Sequence, residues 1–309
     1  MKVMLIGRTK NLIETAKLLD ENGHEIVGVI TSKAALEYDV NESDFRSFSE
    51  KLNIPSLHSP KVNLKDLKVI FGKTNPDIAV SINYSGIISA EVIDFFPLGV
   101  LNAHGGDLPK YRGNACQAWA IINGEERIGL CIHKMIGGEL DSGDIIARKY
   151  ITLDDKVTIK KVYDEFEVLI PRMFLESINQ LEKNNSFLIE EQSKNIKDAL
   201  RCYPRKPEDG KIDWNSSAVQ IHRLIRASSE PYSGAFSYLD GEKIIIWKSK
   251  LLKSNEKWLG IPGQIAEIIN NGDVIVLTGE GKIILQEIEF NKKRLRPSLI
   301  IKSIRKRLT

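Results

Sequence analysis

The hydrophobic positions of this chain follow two different patterns, and the change comes near residue 200. In the first part, short apolar runs alternate with segments whose apolar residues recur at helical spacing. This alternation favours an α/β fold, a Rossmann-like and mostly parallel sheet with helices on both faces. The predicted strands are 3–7, 25–31, 77–83, 98–104, 128–135 and 144–153, and the predicted helices are 11–22, 42–52, 63–72, 115–123 and 158–183.

The second part predicts short strands separated by turns. Asp240-Gly241 and Asn271-Gly272 are typical of hairpin turns. The predicted elements are one helix at 218–228 and strands at 235–239, 243–252, 260–269, 273–278 and 282–289. We therefore expect a catalytic α/β domain over 1–200, a breaker-rich linker over 201–212 and a small β-barrel-like (OB-like) domain over 213–309.

Two polar side chains stand out at the end of the fourth predicted strand. Asn102 and His104 are two residues apart, so they share one face of the strand at its carboxyl end. In open α/β sheets, ligands bind at this edge. His104 alone is a weak signal because the chain has five histidines, but Gly105 and Gly106 follow it and permit close approach of a substrate.

Asp141 is the third candidate for chemistry. It lies in the glycine-rich acidic stretch 136–144, which follows a predicted strand and so belongs to the same edge. Glu139 and Asp144 compete for this role, and an Asp in such a turn often bonds only its own backbone. An amide, an imidazole and a carboxylate without a nucleophilic Ser or Cys suggest direct acyl transfer to an incoming amine.

Other chemistries lack their motifs. The first strand ends at Gly7 without the G-x-G-x-x-G fingerprint, and no G-x-x-x-x-G-K-[ST] sequence occurs. Cys116, Cys131 and Cys202 match neither a disulfide framework nor a zinc-ligand spacing, so we expect reduced thiols and no metal. No apolar run is long enough to span a membrane and no leader pattern is present, which predicts a cytoplasmic protein.

The charge is unevenly spread along the chain. The formal net charge is +3, yet residues 291–309 carry eight Lys and Arg and no acid. A basic tail on a mildly acidic body indicates either a nucleic-acid partner or the solvated face of a last helix.

The candidate residues belong to a longer motif. The stretch Asn102-Ala-His104-Gly-Gly-Asp-Leu-Pro109-Lys-Tyr-Arg-Gly113, with Asp141-Ser-Gly143 downstream, resembles the formyltransferases that use 10-formyltetrahydrofolate. Their pattern is Asn-x-His-x-Ser-Leu-Leu-Pro-x-x-Arg-Gly with a later Asp-x-Gly. Residues 205–214 and 225–236 resemble the linker and C-terminal domain of the methionyl-tRNA and amino-sugar branches. The chain departs from the pattern at Gly106-Asp107, which replaces Ser-Leu.

The resemblance implies roles for the three candidates. Asn102 would bind the formyl oxygen, and His104 would stabilise the oxyanion of the tetrahedral intermediate and shuttle protons. Asp141 would help to take the proton of the attacking amine and would orient His104. The donor would be 10-formyltetrahydrofolate, with no metal.

The resemblance also implies where the two substrates bind. The folate pterin would lie against two loops; on the alternative interpretation, Ile87 and Ile88 are ordinary core residues at a helix entry. Arg8 is a candidate for the acceptor, although it could equally be a surface charge. The folate candidates are Gly86, Ile87, Ile88, Ile136, Gly137 and Leu140, and the acceptor candidates are Arg8, Gly105 and Tyr111.

The family branches differ in the amine that they formylate. Binding of a transfer RNA needs basic loops near the site, whereas residues 32–44 contain one Lys and four acids, which repel a phosphate backbone. Stretches 101–105 and 231–238 resemble the sugar branch. We therefore expect a nucleotide-linked amino sugar of the 4-amino-4,6-dideoxyhexose type, with methionyl-tRNA as runner-up and a formyltetrahydrofolate hydrolase less favoured. Family members are often homodimers, which the resemblance implies here.

Overall fold

The computed structural model describes residues 1–35, 38–184 and 186–309. The chain forms two compact units. The first comprises Met1–Cys116, Ile128–Ile151 and Tyr163–Tyr203, and the second comprises Gln117–Arg127, Thr152–Val162 and Pro204–Thr309. Their last boundary falls within the segment that the sequence predicts to be a linker; the predicted division at 200 and 213 remains a prediction.

Among the described residues as far as Tyr203, the chain forms nine strands and six helices. The strands are β1 (Lys2–Gly7), β2 (Glu25–Thr31), β3 (Ser56–His58), β4 (Ile78–Ile82), β5 (Val100–His104), β6 (Arg112–Gly113), β7 (Arg127–Lys134), β8 (Ile145–Thr152) and β9 (Arg201–Cys202). The helices are α1 (Lys10–Glu21), α2 (Glu42–Leu52), α3 (Leu64–Phe71), α4 (Ala90–Ile93), α5 (Cys116–Asn123) and α6 (Ile159–Asn184), and Ile196–Asp198 forms a 3₁₀ turn.

The main sheet has seven strands in the order β3-β2-β1-β4-β5-β7-β8. The strands from β3 to β5 pair in parallel, and β7 runs antiparallel to β5. Every residue of β4 is buried, and all of them except Ser81 are apolar, because a parallel strand is covered on both faces. The predicted α/β class is confirmed.

Local signals determine where the helices begin. Asn41 caps α2 by accepting a hydrogen bond from the Ser43 amide at 2.8 Å, while the Asp44 carboxylate accepts one from the Asn41 amide at 2.7 Å. This reciprocal pair satisfies amide groups that a helix leaves free at its start.

The elements absent from the prediction, β3, β6, β9 and α4, span two to four residues, which is too short to show a periodicity.

The rest of the chain forms an antiparallel sheet. Its elements are α7 (Ala218–Ala227), β10 (Ala235–Leu239), β11 (Glu242–Leu252), β12 (Ile265–Ile268), β13 (Val274–Leu277), β14 (Lys282–Phe290) and β15 (Lys293–Leu295), with 3₁₀ turns at Pro207–Gly210 and Pro297–Leu299. The strand order is β10-β11-β14-β13-β12, and β15 pairs with β14. The predicted β-rich C-terminal domain is confirmed.

The last residues of the chain join the two ends of this sheet. Leu308 pairs with Leu239 of β10 and donates its amide to Gly263, while Arg307 pairs with Gln264. Through these bonds the edge at β10 is connected to the segment that leads into β12. The closure resembles the small barrel that the strand spacing predicts.

Two predictions for this unit are wrong in detail. The strand expected at 260–269 covers only Ile265–Ile268, because Pro262 lacks an amide donor and Gly263 turns at φ +84°. The basic tail is not the face of a last helix. It forms β15, a single 3₁₀ turn and the closing segment instead.

Candidate active site

The pairing register brings Asn102 to a polar neighbour on the next strand. Asn102 lies on β5, directly opposite His133 on the antiparallel strand β7. Directly opposed residues point to the same face of a sheet, and Asn102 Nδ2 lies 3.2 Å from His133 Nε2. Since an amide nitrogen carries two protons, this contact orients Asn102 and engages only one of them.

Asp141 completes the cluster from the loop after β7. One carboxylate oxygen, Oδ2, lies 3.5 Å from His104 Nδ1, and the other lies 3.5 Å from His133 Nε2. The carboxylate also accepts a hydrogen bond from the Gly113 amide at 2.9 Å. Asp141 therefore has partners outside its own turn, in contrast to the alternative interpretation of an Asp that bonds only its own backbone. The structure thus brings together the three residues predicted for catalysis.

The competing acids of the same loop have other partners. Glu139 accepts a hydrogen bond from the Ser142 hydroxyl at 2.5 Å, and Asp144 accepts one from the Gln192 amide at 3.2 Å. Asp141 adopts a left-handed backbone conformation with φ +50°, which Asp tolerates better than most residues. The loop geometry therefore selects Asp141 as the carboxylate beside His104.

His104 has a defined proton position. Its Nε2 lies 2.6 Å from the carbonyl oxygen of Tyr111. A carbonyl only accepts, so Nε2 carries the proton and donates, which leaves Nδ1 facing Asp141. Burial lowers the pKa of His104, and this effect outweighs Asp141 and the Tyr111 carbonyl, which both raise it. The imidazole is therefore neutral near pH 7.

Asp141 is ionised under the same conditions. Burial alone raises the pKa of this carboxyl, but the opposing effects of His104, His133 and the Gly113 amide lower it to about 2. The side chain is about 10% exposed. The site thus holds a neutral imidazole beside a buried carboxylate, an arrangement suited to accepting a proton.

The two loops predicted to hold the folate lie side by side. The Gly138 amide donates to the Ile88 carbonyl at 3.1 Å, and a side chain on Gly137 would overlap Ala90. Ile88 is a core residue, as the alternative interpretation expects, whereas Ile87 is 67% exposed. An exposed apolar side chain at this edge is a candidate contact for a flat aromatic ligand.

The remaining folate candidates flank these contacts. Ile136 is 44% exposed, Leu140 is half-buried, and Gly86 packs closely against the Pro60 carbonyl. Folate binding by these residues remains a prediction.

The acceptor candidates have different surroundings. Arg8 donates to the carbonyls of Asn83 and Lys33, each at 2.8 Å, and lies 5.4 Å from the centre of the Tyr38 ring. It therefore ties together the loops after β1, β2 and β4. Gly105 and the Tyr111 side chain are buried. Their binding of an acceptor remains a prediction.

Two residues of the cluster have no strong sequence signal. His133 is one histidine among five, and only the register of β5 and β7 places it opposite Asn102. Gln192 lies outside the helices and strands. Its side chain donates to the carbonyls of Asp141 at 3.0 Å and Gly143 at 2.5 Å and accepts from Arg112 at 2.8 Å. It therefore holds the backbone of the Asp141 loop.

Known proteins share both parts of this chain. A methionyl-tRNA formyltransferase from Alkaliphilus oremlandii is 30% identical over 95% of this chain and 93% of its own. The bifunctional polymyxin resistance protein ArnA from Wigglesworthia glossinidia brevipalpis is 36% identical over 68% of this chain and 31% of its own. The N-formyltransferase from Helicobacter canadensis, solved with folinic acid and dTDP-3-aminofucose, has a TM-score of 0.68 at 19% identity, covering 92% of this chain and 98% of its own.

The family assignment rests on two matches that together cover most of the chain. The sequence profile described as Formyl transferase matches residues 1–178, and the profile of the Formyl transferase C-terminal domain matches residues 205–305. The family uses formyl-tetrahydrofolate, and the motif around Asn102 and His104 lies within the first match. The chain therefore belongs to the formyl transferase family and is a formyltransferase.

Proposed function

We propose that this enzyme transfers the formyl group of 10-formyltetrahydrofolate to the amine of a nucleotide-linked amino sugar. The reaction takes place at the carboxyl edge of the main sheet. Asn102, His104 and Asp141 are the catalytic groups of this proposal. The observation that carries the choice of acceptor is the acidic composition of the segment 32–44, which follows β2 in the chain.

Asn102 provides a neutral donor for the formyl oxygen. One N–H of its amide is engaged by His133, so the second is available for charge that develops on the oxygen when an amine attacks. A pre-oriented donor of this kind is worth roughly two to three powers of ten in rate. His133 is therefore a positioning residue for Asn102.

His104 and Asp141 handle the proton of the attacking amine. As the new C–N bond forms, the amine nitrogen loses a proton to Nδ1 of the neutral imidazole. The resulting imidazolium lies between the Tyr111 carbonyl on Nε2 and the Asp141 carboxylate on Nδ1, and both partners stabilise its charge. His104 then returns the proton to the folate nitrogen that leaves.

The loops at Ile87 and Ile136 fit an aromatic donor. Both side chains are apolar and exposed, and the hydrogen bond from Gly138 to Ile88 holds their loops together. When bound, 10-formyltetrahydrofolate supplies the activated formyl carbon. The protein residues orient that carbon and move the proton.

The acidic segment disfavours a transfer RNA. Residues 32–44 contain one Lys and four acids. Two of these acids, Glu42 and Asp44, lie in the first turn of α2, and Lys33 and Tyr38 of this segment contact Arg8 on the loop after β1. A phosphate backbone that passed this edge would meet like charge.

The basic residues of the tail are partly neutralised by acids of their own unit. Arg294 pairs with Glu230 at 2.5 Å, Arg296 with Asp273 at 2.6 Å and Lys306 with Asp240 at 2.5 Å. Paired cations contribute less to the attraction of a nucleic acid than free ones. This pattern supports a small acceptor over an RNA.

The compared proteins support both acceptors. The Helicobacter canadensis structure contains dTDP-3-aminofucose, whereas the Alkaliphilus oremlandii relative is a methionyl-tRNA formyltransferase that matches almost the full length of this chain. Methionyl-tRNA is therefore the second candidate, and a direct assay decides between the two.

The assay offers the purified protein 10-formyltetrahydrofolate with one of two acceptors. One is methionyl-tRNA, and the other is a set of UDP- and dTDP-linked 4-amino-4,6-dideoxyhexoses. We expect labelled formyl on the amino sugar, with kcat/KM at least a hundredfold above that for the RNA. Formylation of the RNA alone would overturn the acceptor, and release of formate without any acceptor would indicate a hydrolase. His104→Ala serves as the control that the activity arises at this site.

A further inference from the structure

The loop after β5 contains the departure from the family pattern, Gly106-Asp107. A side-chain carbon at Gly106 would overlap the Tyr111 carbonyl oxygen and lie 2.5 Å from His104 Nε2. The hydrogen bond between these two groups therefore occupies space that a serine side chain would need. In this chain, the partner of Nε2 is a backbone carbonyl, so the position of the loop determines the orientation of His104.

Asp107 ties this loop to β8. Its carboxylate pairs with the guanidinium of Arg148, which also donates to the Leu108 carbonyl at 2.8 Å. The side chains of Arg148 and Asp107 are 12% and 30% exposed, so the ion pair is partly shielded from solvent and holds a defined geometry. The loop is thus held three to four residues before the Tyr111 carbonyl.

Apolar packing and a thiol hold the same stretch. Leu108 forms a small buried cluster with Cys131 and Ile145, and the Cys131 thiol donates to the Gly106 carbonyl at 3.3 Å. These contacts do not involve the Asp107 carboxylate. A conservative substitution of Asp107 is therefore expected to leave the protein folded.

A second acid holds Arg148 from outside the loop. Glu190 binds the guanidinium at 2.6 and 3.2 Å, and its backbone pairs with Ile145. The contacts of Glu190 described above are with Arg148 and with the backbone of Ile145. Removing the charge of Asp107 or of Glu190 takes one carboxylate from the same arginine, but of the two acids only Asp107 belongs to the loop after β5.

We propose that Asp107 and Arg148 are positioning residues for His104. By fixing the loop, they hold the Tyr111 carbonyl on Nε2, which keeps the imidazole proton there and turns the lone pair of Nδ1 towards Asp141. The inference rests on the proposed role of His104 as the group that takes the amine proton. Loosening the loop lets the proton redistribute between the two ring nitrogens, and the tautomer with Nδ1–H has no lone pair at Nδ1 to accept the amine proton.

The test compares Asp107→Asn with Glu190→Gln in the full-length enzyme. We expect Asp107→Asn to lower kcat about tenfold with KM for donor and acceptor within about twofold, because a small misplacement of a catalytic group affects the reaction more than binding. Glu190→Gln should stay within about twofold of the wild type. Equal losses in both variants, or none in Asp107→Asn, would overturn the proposal.

A spectroscopic measurement separates this inference from the proposed function. In protein labelled with ¹⁵N-histidine, the ring shifts of His104, identified by their loss in His104→Ala, report the tautomer directly. We expect the Nε2–H form in the wild type and in Glu190→Gln, and a mixture of tautomers in Asp107→Asn. An unchanged tautomer in Asp107→Asn would reject the positioning role. This measurement requires no acceptor, so it stands even if the amino sugar proves to be the wrong substrate.

Discussion

The two units use charged residues in opposite ways. At the edge of the main sheet, Asp141 and His104 are buried, and their partners are each other, His133 and backbone groups. In the unit that contains the antiparallel sheet, cations such as Arg294 and Lys306 lie at the surface and pair with acids that are themselves exposed. The first arrangement changes proton affinities, whereas the second mainly balances charge.

The physical difference between the two regions is access of solvent. Burial penalises the charged form of His104 and lowers its pKa, and the shielded interactions of Asp141 hold its pKa at about 2. Exposed ion pairs are screened by water and salt and contribute little to stability. Substitutions in the first region should therefore change chemistry, and those in the second should change stability by small amounts or not at all.

The largest effect is expected from His104→Ala and Asn102→Ala. Each should lower kcat for formyl transfer roughly 10²- to 10³-fold, because each removes a group that acts on the reacting atoms in the proposed mechanism. The melting temperature should move by no more than a few degrees, as measured by circular dichroism. Lys306→Ala is the matched control and should keep wild-type kcat. Near-normal activity of His104→Ala would contradict the view that substitutions in the buried cluster change the chemistry.

The pH dependence of kcat tests the electrostatic coupling within the buried cluster. His104 must be neutral to take a proton, and burial lowers its pKa, so the acid limb of wild-type kcat should lie below pH 6.5. The Asp141 carboxylate raises that pKa. Asp141→Asn should therefore shift the acid limb to lower pH and reduce the plateau. An acid limb that stays in place or moves to higher pH would show that the Asp141 carboxylate does not raise the pKa of His104.

Arg296→Met probes the most buried carboxylate among the pairs of the second unit described here. Asp273 is 4% exposed and pairs with Arg296, which is about half exposed. Loss of the cation leaves the carboxylate with the Asn271 amide as a remaining donor. We expect the free energy of unfolding in urea to fall by about 1–2 kcal/mol, less than for a fully buried pair because solvent reaches the site. Formyl transfer per folded molecule should be unchanged.

The smallest effect is expected at an exposed pair. Lys306 and Asp240 are 44% and 57% exposed, so Lys306→Ala should lower the free energy of unfolding by less than about 0.5 kcal/mol. The loss should shrink further at high salt. A loss above 1 kcal/mol that persists in salt would mean that Lys306 stabilises the closing segment by something other than its charge.

Most of the main sheet could be predicted because its signals are local. The predicted strand at 25–31 and the predicted helix at 42–52 agree with β2 and α2 at both ends. An apolar run marks the strand in the sequence, and an Asn cap marks the start of the helix. The three-residue strand β3 and the true extent of β12 could not be predicted. Short elements depend on pairing with neighbours that are distant in sequence.

The candidate site likewise has features that the local sequence predicts and features that it does not. The sequence by itself determined that Asn102 and His104 share one face at the end of a strand, because side chains alternate with a period of two. The motif Asp141-Ser-Gly143 favoured Asp141 by resemblance, but only the tertiary structure shows that this carboxylate, rather than Glu139 or Asp144, lies beside His104. The tertiary structure also decided that His133 orients Asn102 and that the Tyr111 carbonyl holds Nε2. These contacts depend on the register of β5 against β7 and on the path of two loops, and neither is encoded in a local period of the chain.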